Sequence, residues 1–296
     1  VTFIADPVRQ HMDPNEAVAR LLKNQADAFL RVAENEPSTQ FYLPGRFDPR
    51  RTMPNHLARS SLFAPIARGT EARHRDSPIV TRSDAAMIHT GIQHDEPSCD
   101  ILMELIHQAK AYPLGEPVPI CRAHILRSTN RGTSKSEYSW LDRTINAFCA
   151  GELVIETTSD GKPKMQVGTK RPLRLLDAFE YDEARKTYII RLDPRWRHLY
   201  ANNEFAFIDW SKRMQIRRGQ DMAKALQRLV ATSDDSNQYF RLEWLKDKMQ
   251  YRSPIRKFKV SLISAMKELE RVEVITAGRI GVSSRGIEQA ILTRIE

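Results

Sequence analysis

Arg252-Ser253-Pro254-Ile255-Arg256-Lys257-Phe258-Lys259-Val260-Ser261-Leu262-Ile263-Ser264-Ala265-Met266-Lys267-Glu268-Leu269-Glu270 is the stretch on which the reading of this chain turns. Ile255, Phe258, Leu262, Met266 and Leu269 follow one another at steps of 3, 4, 4 and 3, the period that puts side chains on one helical face. Ser253 is suited to accept from the free N–H groups of the first turn, and Pro254 to the position that needs no N–H. Arg252, Arg256 and Lys259 fall on another face with Lys257 beside them, and no acid interrupts 252–267. Two readings are open here. One is a core helix with a solvated outer face; the other is a helix that presents cations to a polyanion.

The segments around it repeat an order met earlier in the chain. Upstream of the basic helix, Gln220 to Val230 reads as a helix, Tyr239 to Leu242 as a strand and Glu243 to Met249 as a short helix. Downstream, strands over Val272 to Thr276 and Arg279 to Ser283 flank a turn at Ala277-Gly278. In the first half, Pro97-Ser98 opens a helix with Ile101, Leu102, Leu105, Ile106 and Ala109 on its buried side. Val118-Pro119-Ile120 reads as a short edge strand and Arg122 to Ser128 as a short helix. Ser134-Lys135-Ser136-Glu137 is a capping box opening a longer helix striped by Tyr138, Leu141, Ile145 and Phe148. Leu153 to Thr157 and Lys164 to Val167 then pair across a hairpin turn at Ser159-Asp160-Gly161-Lys162. Helix, strand, helix, longer helix and two-stranded wing make a winged helix-turn-helix.

The two copies keep nearly one spacing. Leu141, Ile145 and Phe148 align with Leu262, Met266 and Leu269 at an offset of 121; Val118 and Ile120 align with Phe240 and Leu242 at 122; Ile155 aligns with Ile275 at 120. One supersecondary unit used twice explains this, and chance likeness of short apolar patterns is the alternative. The expected fold is α+β, two tandem winged-helix domains behind an N-terminal helical arm. Residues 1–49 are expected to be arm and linker, 50–180 the first winged domain, and 181–296 the second and main DNA reader. Asp13-Pro14-Asn15-Glu16 opens the arm helix, with Val18, Leu21, Leu22, Phe29 and Val32 as its stripe. Short strands are expected over 78–92, two further strands over 173–180 and 187–192, and a weakly helical tail from Gly286.

The charges differ between copies. In a helix-turn-helix reader the N-terminal part of the long helix meets base edges, which makes Arg252, Arg256, Lys257 and Lys259 the base-contact candidates. The first copy carries Arg131, Lys135 and Arg143 with Glu137 and Asp142 among them. That suits phosphate contact, a protein face or simple solvation. Lys212, Arg213, Arg217 and Arg218, on the approach to the second domain, are phosphate candidates or a solvated face. Lys162 and Arg279, at the two expected wing turns, are candidates for backbone or minor-groove contact.

The 296 residues give room for two domains, and 41% hydrophobic with 28% charged residues reads as soluble and globular. No run is long and apolar enough for a membrane span. Asp6, Arg9, His11 and Asp13 break up the opening, so no signal peptide is expected. Cys99, Cys121 and Cys149 form neither a disulfide framework nor a C-x-x-C pair, which fits a reducing cytoplasm. The formal charge of +9 permits nucleic acid, an acidic membrane surface or an acidic protein as partner. Catalysis finds no support: the eight histidines show neither H-E-x-x-H nor a tight His-x-His. There is no G-x-x-x-x-G-K-[ST] and no zinc ligand set. No catalytic residue, metal or cofactor is expected.

Met53-Pro54-Asn55 followed by Ala58-Arg59-Ser60-Ser61-Leu62-Phe63 resembles the signature of the TrfA-type plasmid replication initiators. Pro113-Leu114-Gly115-Glu116-Pro117 and the segment Tyr138 to Asp160 are similar to that family too. The likeness spans roughly Phe41 to Arg279 and is strongest over 53–160. It implies two winged-helix domains that bind directly repeated sites, called iterons, in the double-stranded DNA of a plasmid origin. It implies opening of adjacent AT-rich DNA, recruitment of the host replication initiator and helicase, and dimers that restrain replication against monomers that start it. The main major-groove role then maps onto Arg252, Arg256, Lys257 and Lys259. The arm has no clear match to the family's clamp-docking glutamine-leucine-rich peptide, so clamp binding does not carry over. Two competing readings stand beside this one. A winged-helix regulator or partition factor would bind an inverted repeat without opening it, and a non-enzymatic scaffold would show no sequence preference.

Overall fold

The computed structural model describes residues 40–67, 69–159 and 162–295; the expected arm helix over 13–33 lies outside them. Strand β1 (Arg51–Pro54) and helix α1 (Asn55–Ala58) lead into β2 (Phe63–Ala64), β3 (Arg73–Pro78), β4 (Ala85–Ile92) and β5 (His94–Asp95). Next come α2 (Glu96–Ala109), β6 (Val118–Cys121), α3 (Arg122–Ser128), α4 (Lys135–Ala150), β7 (Glu152–Ser159) and β8 (Lys162–Val167). The chain continues through β9 (Ala178–Asp182), β10 (Thr187–Arg191), α5 (Trp196–Leu199) and β11 (Phe205–Ile208). It ends with α6 (Trp210–Gln215), α7 (Asp221–Val230), β12 (Asn237–Arg241), α8 (Leu242–Lys248), α9 (Ile255–Arg271), β13 (Ile275–Val282) and β14 (Glu288–Arg294).

The expected α+β fold of two tandem winged units is present. One is α2-β6-α3-α4-β7-β8 and the other α7-β12-α8-α9-β13-β14; α3 and α8, like α4 and α9, begin 120 residues apart. The helices start where side chains satisfy free N–H groups. Asp95 accepts from Ser98 N at the head of α2, and Ser134 from Glu137 N at the head of α4. The carboxylate of Glu137 turns to Arg131 instead of closing the box. At α9 the expected Ser253 cap is not made: Pro254 is the N-cap residue, without a side-chain bond, and its carbonyl takes Lys257 N at 2.9 Å. The buried stripe of α9 is Phe258, Leu262, Ala265, Met266 and Leu269.

The second unit closes its sheet in the order β12-β14-β13. The tail expected to be helical is therefore β14. Its weak local preference yields to hydrogen bonding along both edges, against β12 and β13, and Ala290, Ile291 and Leu292 are buried. The wing turn is likewise not at Ala277-Gly278. Strand β13 runs through those residues and the turn falls at 283–287, where Gly286 takes φ +77°. Gly278 serves packing instead: a Cβ there would lie 2.7 Å from Met266 Cβ, so only glycine lets β13 sit this close to α9.

The first unit is built differently. Strand β6 pairs with β10, which pairs with β9, while the β7–β8 wing joins β4 and β3 in a four-stranded sheet. Arg122 at the start of α3 lies 4.7 Å from the Tyr138 ring and 4.2 Å from the Tyr181 ring, tying α4 to the β9–β10 hairpin. The division expected at 180/181 falls inside β9. Because β10 and β11 complete sheets begun by β6 and β1, the first apolar core extends to Ile208 and the second begins at Ile216.

Between the two cores lies a buried seam of charge. Arg213 from α6 donates to Asp100 Oδ1 at 2.5 Å and Glu96 Oε2 at 3.0 Å, and Arg228 from α7 donates to Glu96 Oε1. Both arginines and Glu96 have side chains with no exposure. Burial alone would push the Asp100 carboxyl up; Arg213 and Lys224 more than offset it and hold the group below the usual range. Lys248 is sealed in the same region and donates to Ser60 O at 3.2 Å.

Burial, with the Arg228 charge adding to it, pushes the Lys248 ammonium down to about 7, while Glu96 and Cys99 pull it up and Arg59 lowers it further. The unfolded chain, whose lysines titrate near about 10.4, therefore binds more protons between pH 7 and that value. Stability is expected to rise with pH across this window, by at most about 1.4 kcal/mol per pH unit for one group. Lys110, lowered to about 8 by burial and the Arg51 charge, adds a limb of its own. Urea unfolding of Lys248→Met from pH 7 to 10 is expected to show a clearly flatter rise than the parent; an unchanged slope would assign the rise to other groups.

Candidate nucleic-acid interface

The first half of α9 stands out of the second unit with its cations uncovered. Phe258 and Leu262 anchor the helix on α7 and α8, and the Phe258 ring meets Tyr251 edge-on at 5.3 Å. Arg252, Arg256 and Lys257 are exposed, and none of their side chains makes a hydrogen bond or ion pair among the described residues. No acid lies in the first turn, so the positive end of the helix dipole adds to these charges rather than being neutralised. Lys259 differs from its three neighbours: it is half-buried, and its ammonium binds Glu288 Oε1 at 2.5 Å at the root of β14. It ties the helix to the wing.

The remaining candidates sort by partner. Arg213 is not a surface cation. It is fully buried in the charge seam, so the phosphate role expected for it is withdrawn. Lys212 is half-buried and donates to Glu273 O at 2.6 Å, linking α6 to the turn between α9 and β13. Arg217 is exposed but leans on Glu268, 3.5 Å away, whereas Arg218 is exposed beside it. Arg279 is exposed within β13 rather than at a turn. The residue at the actual wing turn is Arg285, exposed between Ser284 and Gly286. Its signal was the Ser-Ser-Arg-Gly run, which a helical reading of the tail conceals.

In the first unit, Lys135 and Arg143 are exposed on α4, with Ser136, Ser139 and Asn146 along the same helix. Arg131 is half-buried, bonded to Glu137 Oε2 at 2.7 Å and placed 3.6 Å from the Trp140 ring centre. It braces the entry to α4. Lys162 opens β8, and its side chain lies outside the described residues. Each unit thus offers one exposed helix and one hairpin, with the denser free charge on α9. Among the described residues no group of three or more His, Cys, Asp or Glu side chains gathers to hold a metal ion, and no helix is long and apolar enough to cross a membrane.

No family model matches the chain, and no curated protein matches it. The fold is similar to that of domains 2 and 3 of RctB in a selenomethionine-derivative crystal structure. That match has a TM-score of 0.50 and 12% identity, over 82% of this chain and 99% of the other. A second crystal structure of RctB domains 2–3 aligns with a TM-score of 0.46 and 12% identity, over 79% of this chain and 95% of the other. At this identity the likeness is one of fold.

Proposed function

We propose that this chain is a plasmid replication initiator of the TrfA type, which binds directly repeated origin sites as double-stranded DNA through α9. The observation that carries the reading is the acid-free set Arg252, Arg256 and Lys257 at the start of the long helix of a winged unit, whose side chains have no partner among the described residues. In this fold that end of the helix enters the major groove, and arginine pairs with guanine O6 and N7. Lys259, held by Glu288, orients the helix against its wing. In this reading Arg217, Arg218, Arg279 and Arg285 meet phosphates, and Lys135 and Arg143 set register from the first unit. The TrfA-type resemblance supplies the rest: opening of AT-rich DNA, recruitment of the host initiator and helicase, and a monomer–dimer balance that controls copy number.

Selection of bound duplexes from random DNA, followed by footprinting, tests this. Phased direct repeats about two helical turns apart are expected. An inverted repeat without local opening would favour a regulator or partition factor, and no preference at all would favour a scaffold. At one fixed salt concentration, since phosphate contacts make affinity salt-dependent, Arg256→Ala is expected to cost about 1–3 kcal/mol and relax preference at one base position. Equal loss on specific and random DNA would remove Arg256 from base reading.

A further inference from the structure

The outward face of α9 is not uniformly polar. Val260 is 68% exposed and Ile263 41% exposed, two of the largest uncovered apolar side chains of the second unit. With Arg256 and Lys267, also exposed, they recur at i, i+4, i+7 and i+11. At 3.6 residues per turn these four lie within an arc of about 60°, opposite the face formed by Phe258, Leu262, Ala265 and Leu269. Valine and isoleucine lower helix stability at solvated positions because their branched side chains lose rotamer freedom, so nothing in the helix itself favours them there. Burial against the other described residues does not account for them either, since Val260 and Ile263 remain exposed among them.

We infer that Val260 and Ile263 are specificity-determining residues that read thymine C5-methyl groups in the major groove. The inference rests on the DNA-binding reading given above. The occupant is argued from charge. An apolar strip one or two side chains wide, led by Arg256, flanked by Lys257 and closed by Lys267, carries no acid from 252 to 267. Such a strip complements a polyanion whose groove floor presents methyl groups. Thymine is the base whose major-groove edge offers an apolar patch, and small aliphatic side chains are its counterpart. Arg256, one turn before Val260, would take the neighbouring guanine, so the bound sequence places thymine within a few base pairs of that guanine.

The test removes the methyl and nothing else. The full chain is used to select a bound duplex from random DNA, and each thymine of that site is replaced in turn by deoxyuridine. One or two positions are expected at which replacement weakens binding about fourfold, the weight of one buried methyl. Val260→Ala or Ile263→Ala, both exposed positions where alanine favours the helix, is expected to abolish the penalty at its own position. Arg256→Ala is expected to leave both penalties intact. If the selected duplex binds equally well with every thymine replaced, the inference falls while the DNA reading stands. If the two alanine variants instead alter self-association and leave the deoxyuridine penalties unchanged, the strip is a protein contact and the inference falls. If no duplex is retained at all, the DNA reading falls and takes the inference with it.

Discussion

Glu96→Ala is expected to destabilise the folded chain by about 3–5 kcal/mol, the cost of stripping a partner from a buried ion pair. Glu96 is the shared acceptor of Arg213 and Arg228, and all three side chains are without exposure. Removing it takes one carboxylate from Arg213 and leaves the buried Arg228 guanidinium without an ion-pair partner among the described residues. Arg213 keeps Asp100, the carbonyl of Lys224 and Gln227 Oε1, whereas among the described residues Arg228 keeps Phe63 O, the Met53 sulfur and the Phe63 ring but no carboxylate. Arg228 Nε already has no hydrogen-bond partner among the described residues, so little remains to compensate. Because the seam lies between the two apolar cores, the loss falls on their union, and urea unfolding of the variant is expected to separate into two steps. A loss below about 1 kcal/mol would mean that solvent reaches the seam and solvates the arginines.

Phe258→Ala is expected to cost about 3–5 kcal/mol through lost burial and the cavity left behind. The ring is fully buried one turn into α9, edge-on to Tyr251, and is the first anchor behind Arg256 and Lys257. Its removal also loosens the end of the helix that carries the free cations. Chemical unfolding measures the stability term, and the apparent affinity for a selected duplex measures the second. Phe258→Leu, which refills most of the space, is expected to restore most of the stability. A full loss with leucine would point to the ring contact with Tyr251 rather than to volume.

The parts of this fold that depend on neighbours in the chain were legible beforehand. The 3, 4, 4, 3 spacing from Ile255 to Leu269 reports one-sided burial, and four of its five positions are buried; Ile255, in the first turn, is 37% exposed. The repeat was legible for the same reason, since the two winged units each write the same periodicity once. What stayed hidden depends on distant partners. Arg213 sits among Lys212, Arg217 and Arg218 and looks like one more surface cation, because Asp100 and Glu96 are 113 and 117 residues away. The strand character of β14 comes from β12 and β13, not from its own residues. The inclusion of 178–208 in the first core follows from pairing with β6 and β1, which no local pattern signals. For the site, charge was legible and freedom was not: only the structure separates Arg256 and Lys257 from Lys259 and Arg131, which are already engaged.

The pairing of β1 with β11 also orders events in time. Arg51 faces Ile208 across that ladder, so the first unit must close a loop of most of its own length before its sheets are complete. Loop closure carries an entropic cost that local contacts do not, and chains dominated by distant pairings fold slowly. The second unit has no such debt, since 216–292 supply its whole core from contiguous sequence. During synthesis from the N-terminus the first unit waits for residue 208 with the β1 edge unpaired, while the second condenses from adjacent segments as soon as β14 is made. The unit that holds α9 therefore follows the first in the chain yet is the quicker of the two to form.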